Sequence, residues 1–158
     1  MNYINLKNFF LLVLVLSIIS LSSVFYIDFI IGIKPCKLCL YQRTPYLIAI
    51  FISLLGFLNS KNFLWLYFLI FIFLISSIIS GYHIGIENNI FEEFKGCTSK
   101  NLNLTTKSEI IKSLNNASPN CKNVSFRIFG FSLATINFII STIITIFSAK
   151  ILINEKNK

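Results

Sequence analysis

Long stretches without a charged side chain alternate with short charged segments along this chain, and the lengths of those stretches set the expected architecture. Residues 8–27, 44–60, 62–82 and 128–149 form uncharged runs of 20, 17, 21 and 22 residues. A helix needs about 20 apolar residues to cross the hydrocarbon of a bilayer, so each run predicts a span, the second only just. The expectation is an all-α membrane protein: a four-transmembrane-helix bundle with spans at about 9–27, 44–60, 62–82 and 128–149. Two external loops, 28–43 and 83–127, then share one face, and both termini share the other with the short turn at Lys61. No internal repeat or low-complexity linker divides the chain, so residues 1–158 read as a single integral membrane domain.

The longer loop has a pattern of its own. Thr106 followed by Glu109 matches a capping box, and Ile110, Ile111 and Leu114 then share one face of a short amphipathic helix. Ile90, Phe91 and Phe94 form a second apolar group just after the third run. Both groups suit a loop lying on the membrane surface and equally a loop packed on itself.

Composition points the same way, because 55% hydrophobic residues, 13% charged residues and a mean hydropathy of +0.76 lie outside the range of ordinary soluble domains. The first run follows Lys7 as a signal peptide would, but the first alanine is Ala49 and no A-x-A pattern follows the run. A permanent anchor is expected. The net charge of +8 comes from 14 cations scattered over loops and termini with no basic stripe, which favours the anionic lipid bilayer as partner and no nucleic acid. Lys7, Lys61, Lys150, Lys156 and Lys158 give the terminal face the higher density of cations and favour cytoplasmic termini. All four cysteines fall on the opposite face, which agrees, since disulfides persist in oxidising compartments. No charge lies within a run, so nothing suggests an ion path through the bilayer.

Candidate chemistry rests with those cysteines. Cys36 and Cys39 form a C-x-x-C motif directly before the second run, while Cys97 and Cys121 are separated by 23 residues in the longer loop. Zinc sites usually pair two such knuckles or add histidines; here the second pair is far apart and His83 is the single histidine, so no metal is expected. Leu40 after Cys39 excludes haem attachment, which requires C-x-x-C-H. A disulfide between Cys97 and Cys121 would act as a loop staple or as a redox pair, and both uses stay open. One between Cys36 and Cys39 closes too small a loop to stabilise much and suits reversible exchange. Lys34, Lys37 and Arg43, with the amino end of the following helix, favour thiolate there.

Lys34-Pro35-Cys36-Lys37-Leu38-Cys39-Leu40-Tyr41-Gln42-Arg43 resembles the signature of the DsbB family, in which P-C-x-L-C followed by Tyr and Arg precedes the second helix. Tyr82-His83-x-Gly85-x-Glu87 after the third run also resembles that family, and Ser132-Leu133-Ala134 with Asn137 does so more loosely. The resemblance implies a bacterial inner-membrane protein with cytoplasmic termini and periplasmic cysteine loops. It implies a thiol oxidase: a DsbA-type thioredoxin-fold oxidase passes electrons to Cys97 and Cys121, these exchange with Cys36 and Cys39, and a membrane quinone, ubiquinone or menaquinone, is the acceptor. Cys39 would then be the thiolate against the quinone and Cys36 the partner of the distal pair. Arg43 would bind the quinone oxygen, with Gln42 and His83 as further cofactor-binding residues. Arg43 as a snorkelling cation and His83 as a boundary residue are the plainer readings. Lys95 and Gly96 beside Cys97 favour first attack there, and the turn-like Ser118-Pro119-Asn120 would let Cys121 swing to Cys36.

Pro45 fits the first turn of the second helix with Thr44 as cap, or a helix that starts earlier and sets Arg43 one turn beyond Cys39. Two other classes compete with the thiol oxidase. The vitamin K epoxide reductase family shares four helices and four cysteines, but its C-x-x-C follows the separated cysteines, the reverse of the order here. A non-catalytic membrane adaptor with a stapled loop is the second.

Overall fold

In the computed structural model, which describes residues 3–60, 62–92, 121–122, 126–128 and 130–156, four long helices account for most of the chain. They are α1 (Tyr3–Tyr26), α2 (Lys37–Leu58), α3 (Leu64–Glu87) and α4 (Leu133–Lys156). Each is long and apolar enough to cross a membrane. A π-helical turn, Ile27–Ile31, extends α1, and Gly32 ends it in the left-handed region at φ 78°. Two short strands, β1 (Arg127–Ile128) and β2 (Phe131–Ser132), pair antiparallel before α4, and Gly130 supplies the positive φ that their turn requires. The expected helix at 106–114 and the segment holding Phe94 and Cys97 lie outside the described residues.

The helices run further than charge-free runs allow. The expected first loop, 28–43, shrinks to residues 32–36, because the π turn takes Asp28 into the first helix and α2 begins at Lys37. The third helix continues to Glu87, beyond the expected end at residue 82, and the fourth begins at Leu133 and not at residue 128. Asp28 and Arg43 therefore sit within the membrane-spanning helices, a correction to the expectation of uncharged spans. A charge is tolerated at such depth when it is paired, and these two are paired with each other.

Along the chain, α1 packs on α2, α2 on α3 and α3 on α4, the last pair most extensively. Phe10 and Val13 of α1, Ala49 of α2 and Leu66, Leu69 and Phe73 of α3 are fully buried at the centre. Gly56 admits the Phe10 ring: a Cβ there would lie 2.5 Å from it. Small polar side chains join α3 to α4, with Ser76 to Ser141 and Ser77 to Thr142 both at 2.9 Å. Such pairs let backbones approach closely where lipid offers no hydrophobic drive for helix association. The outward faces are apolar, with Phe51 67% exposed, Phe71 61% and Ile78 65%, as a lipid solvent requires.

Candidate redox site

Pro35 removes a backbone donor and Cys36 remains extended at φ −71°, ψ 166°, so the chain enters α2 with Cys36 as its N-cap. Ser, Thr, Asp and Asn usually fill this position. Here a sulfur does so: the Cys39 backbone N–H donates to Cys36 Sγ at 3.2 Å. Helix entry at Lys37 decides between the two starts considered above, and Pro45 lies inside the helix. Cys39 and Arg43 are then one turn apart on one face.

Cys36 and Cys39 are free thiols with Sγ atoms 2.7 Å apart. The hydrogen bond from the Cys39 side chain is the main reason that the Cys36 thiol is pushed down to about 4. Burial opposes this, while the His83 ring and the Cys39 backbone N–H add to it. The charge of the reduced pair thus rests on Cys36, at the positive end of the α2 dipole.

The extension of α3 brings His83 to this sulfur. The ring is 3% exposed, with Nε2 3.8 Å from Cys36 Sγ and Nδ1 3.1 Å from Gln42 Nε2. An amide N–H donating to Nδ1 leaves the ring proton on Nε2, facing the sulfur. Glu87, one turn on, places Oε1 3.8 Å from the same Nε2. Gly85 in this turn lies under the Phe91 ring, which a Cβ there would overlap. Phe91 itself stacks on Tyr82, with centroids 5.6 Å apart.

Arg43 meets Asp28 in a bidentate pair, Nη2 to Oδ1 at 3.0 Å and Nη1 to Oδ2, and lies over the Phe25 ring. The side chains are 14% and 15% exposed. Sequence reasoning missed Asp28, although the signal was present: it is the only acidic residue before Glu87 and lies in an apolar stretch.

Two cavities meet at Cys39. The larger, about 310 Å³, lies between α1, α2 and α4; its walls are mainly apolar, with Cys39, Gln42, Arg43, Tyr46 and Asn137 among the residues that supply polar atoms. From it a hydrogen-bond chain runs inward: Tyr46 Oη donates to Asn137 Oδ1 at 2.5 Å, and Asn137 Nδ2 donates to Ser80 Oγ at 2.6 Å. The smaller, about 60 Å³, is lined by Cys36, Cys39, His83, Glu87 and Cys121 among others. Cys121 is disulfide-bonded, 2% exposed, and packed with Cys36, Leu38 and Ile86. Cys39 and Arg43 thus border both cavities, whereas His83 borders only the smaller one. Of the residues singled out in the sequence, Cys36, Cys39, Cys121, Gln42, Arg43 and His83 come together here. Cys97 lies outside the described residues.

An uncharacterized protein of Rickettsia prowazekii (strain Madrid E) is 32% identical over 163 residues, covering 99% of this chain and 95% of the relative. The model of the family described as "Disulfide bond formation protein DsbB" matches residues 6–151. This multi-pass chain, with its free C-x-x-C pair packed against a disulfide-bonded cysteine, therefore belongs to the DsbB family of disulfide bond formation proteins.

Proposed function

We propose that this protein is a membrane dithiol:quinone oxidoreductase that reoxidises a soluble DsbA-type thioredoxin-fold oxidase. The observation that supports this most is the position of the C-x-x-C pair between two cavities: Cys36 faces the disulfide-bonded Cys121, and Cys39 faces the apolar space beside Arg43. One side suits disulfide exchange and the other a lipid-soluble acceptor.

A partner thiolate attacks Cys97 of a Cys97–Cys121 disulfide, and the second partner thiol releases the partner as a disulfide. The freed Cys121 thiolate attacks Cys36, and Cys39 leaves as thiolate; Cys97 then closes on Cys121 and frees Cys36. This returns the distal disulfide and leaves Cys36 and Cys39 reduced. When bound, the quinone supplies an acceptor for two electrons and two protons. The donors lining the larger cavity fit such a group: Arg43 offers a guanidinium to a quinone oxygen, and Gln42 an amide nearby. His83 positions and charges Cys36, and it lines the smaller cavity together with Cys39 and Arg43. The working site is the bacterial inner membrane, with termini cytoplasmic and cysteine loops periplasmic.

The test uses purified protein, a reduced thioredoxin-fold oxidase, and ubiquinone or menaquinone. One quinone reduced for each dithiol oxidised is the expected stoichiometry, with Arg43→Ala raising the quinone concentration needed and Cys39→Ser abolishing turnover. Dithiol oxidation that consumes no quinone would reject the acceptor.

A further inference from the structure

The pairing of Cys36 and Cys39 is not the only chemistry that their surroundings support. Cys36 Sγ, Cys39 Sγ and His83 Nε2 all lie within 4.8 Å of one another. The Glu87 carboxylate reaches toward the same nitrogen, at 3.8 Å. These donors line the cavity of about 60 Å³, which has room for an ion and a water. The spacing of cysteines in the sequence argued against zinc because only one knuckle was visible, and the fold supplies the missing donors from α3.

We infer that the reduced Cys36–Cys39 pair, together with His83 and Glu87, forms a binding site for a thiophilic divalent cation such as Zn²⁺ or Cd²⁺, and that occupancy arrests disulfide exchange. Two thiolates, one imidazole and a fourth oxygen ligand make a donor set that such ions favour. For tetrahedral bonds of about 2.3 Å to sulfur and 2.0 Å to nitrogen, ligand atoms stand about 3.5–3.8 Å apart. Cys36 Sγ and His83 Nε2 already stand 3.8 Å apart. The sulfurs, at 2.7 Å, must separate by about 1 Å, which a side-chain rotation of Cys39 accomplishes.

Gln42 controls His83 for this purpose. With its amide turned so that oxygen accepts from Nδ1–H, the Nε2 lone pair faces the ion, the usual outer-shell arrangement of a metal-bound histidine. Binding consumes no electrons: the proton shared by the two sulfurs is released and two metal–sulfur bonds form. The disulfide form has no thiolate to offer and does not bind. The site is therefore selective for the reduced state, which accumulates when an electron acceptor is lacking.

The test uses full-length protein with Cys97→Ser and Cys121→Ser, so that only this pair supplies thiols. Cd²⁺ titrated into the reduced protein should give a sulfur-to-metal charge-transfer band that saturates at one ion per chain. The same protein oxidised to the Cys36–Cys39 disulfide should give none. His83→Gln should weaken binding about tenfold or more, in keeping with the sensitivity of such sites to their ligands. Cadmium NMR of the unsubstituted site, which reports a nitrogen ligand beside two sulfurs, decides the matter should His83→Gln fail to fold. No band with one equivalent of Cd²⁺, equal affinity in His83→Gln, or a resonance without a nitrogen ligand would each overturn the inference.

Discussion

At the scale of single residues, the position of Cys36 decides the reactivity of the pair. An ordinary thiol of 9.0 would lose thiolate tenfold for every pH unit below that value, but here the thiol is pushed down to about 4, first by the Cys39 side chain and then by His83. Thiolate is thus present above about pH 4 and is lost as pH falls through that value. Ultraviolet thiolate absorbance of the reduced protein, with Cys97 and Cys121 replaced by serine, should remain flat from neutral pH down to about 5 and drop below about 4. His83→Gln should move that drop to higher pH, because the ring is one of the groups that favour the charge. A midpoint near that of a free thiol would remove the N-cap account. Asp28 acts on the other side of the site. Loss of one partner from a largely desolvated bidentate pair leaves a lone charge, so Asp28→Asn should lower stability, by about 1–3 kcal/mol after allowing for partial exposure. Asp28→Asn/Arg43→Gln should recover part of this in a detergent unfolding titration; no recovery would mean that the two charges are independently solvated.

At the scale of elements, the helix ends carry the function. An α2 that began at Thr44 would leave Cys39 and Arg43 on a loop, whereas entry at Lys37 fixes both on one helical face and places Cys36 at the cap. Five additional residues on the third helix separate the two outcomes for His83 equally sharply: an end at Tyr82 would leave it outside, and continuation to Glu87 buries it against Cys36. Hydrogen bonds between α3 and α4 hold the far side. Interhelical pairs of this type in membranes contribute about 0.6 kcal/mol on average and about 1.7 at most. A double-mutant cycle of Ser76→Ala and Ser141→Ala should give a coupling in that range, with quinone dependence of oxidation unchanged. A coupling of zero would assign the α3–α4 association to packing alone.

At the scale of the whole molecule, Cys36, Cys39 and Cys121 gather at one end of the helix bundle, and the orientation of that end sets which compartment they serve. Lys34, exposed beside Cys36, and Asn154, exposed near the end of α4, lie at opposite ends of the spans. In cysteine-free protein, Lys34→Cys should react with a membrane-impermeant thiol reagent in intact cells, and Asn154→Cys only after permeabilisation. The reverse pattern would place the disulfide chemistry on the reducing side and remove the proposed oxidase role.

The sequence by itself determined the four apolar runs, because a bilayer imposes a minimum length on every span that no tertiary contact can alter. It also carried the C-x-x-C motif with its Pro35, Gln42 and Arg43, since a signature of adjacent residues is read without knowing the fold. Helix ends were not legible from charge, as Asp28 shows: a carboxylate that reads as the start of a loop enters a span once a guanidinium 15 residues later neutralises it. His83 was visible as a candidate but its partner was not, because contact with Cys36, 47 residues away, depends on how α3 packs on α2. Only the tertiary structure decided that His83 adds to the charge on Cys36, that Cys39 borders the larger cavity, and that Asp28 rather than solvent meets Arg43. Each of these depends on atoms from different helices sharing a desolvated space, where burial and pairing outweigh the preferences of any one segment.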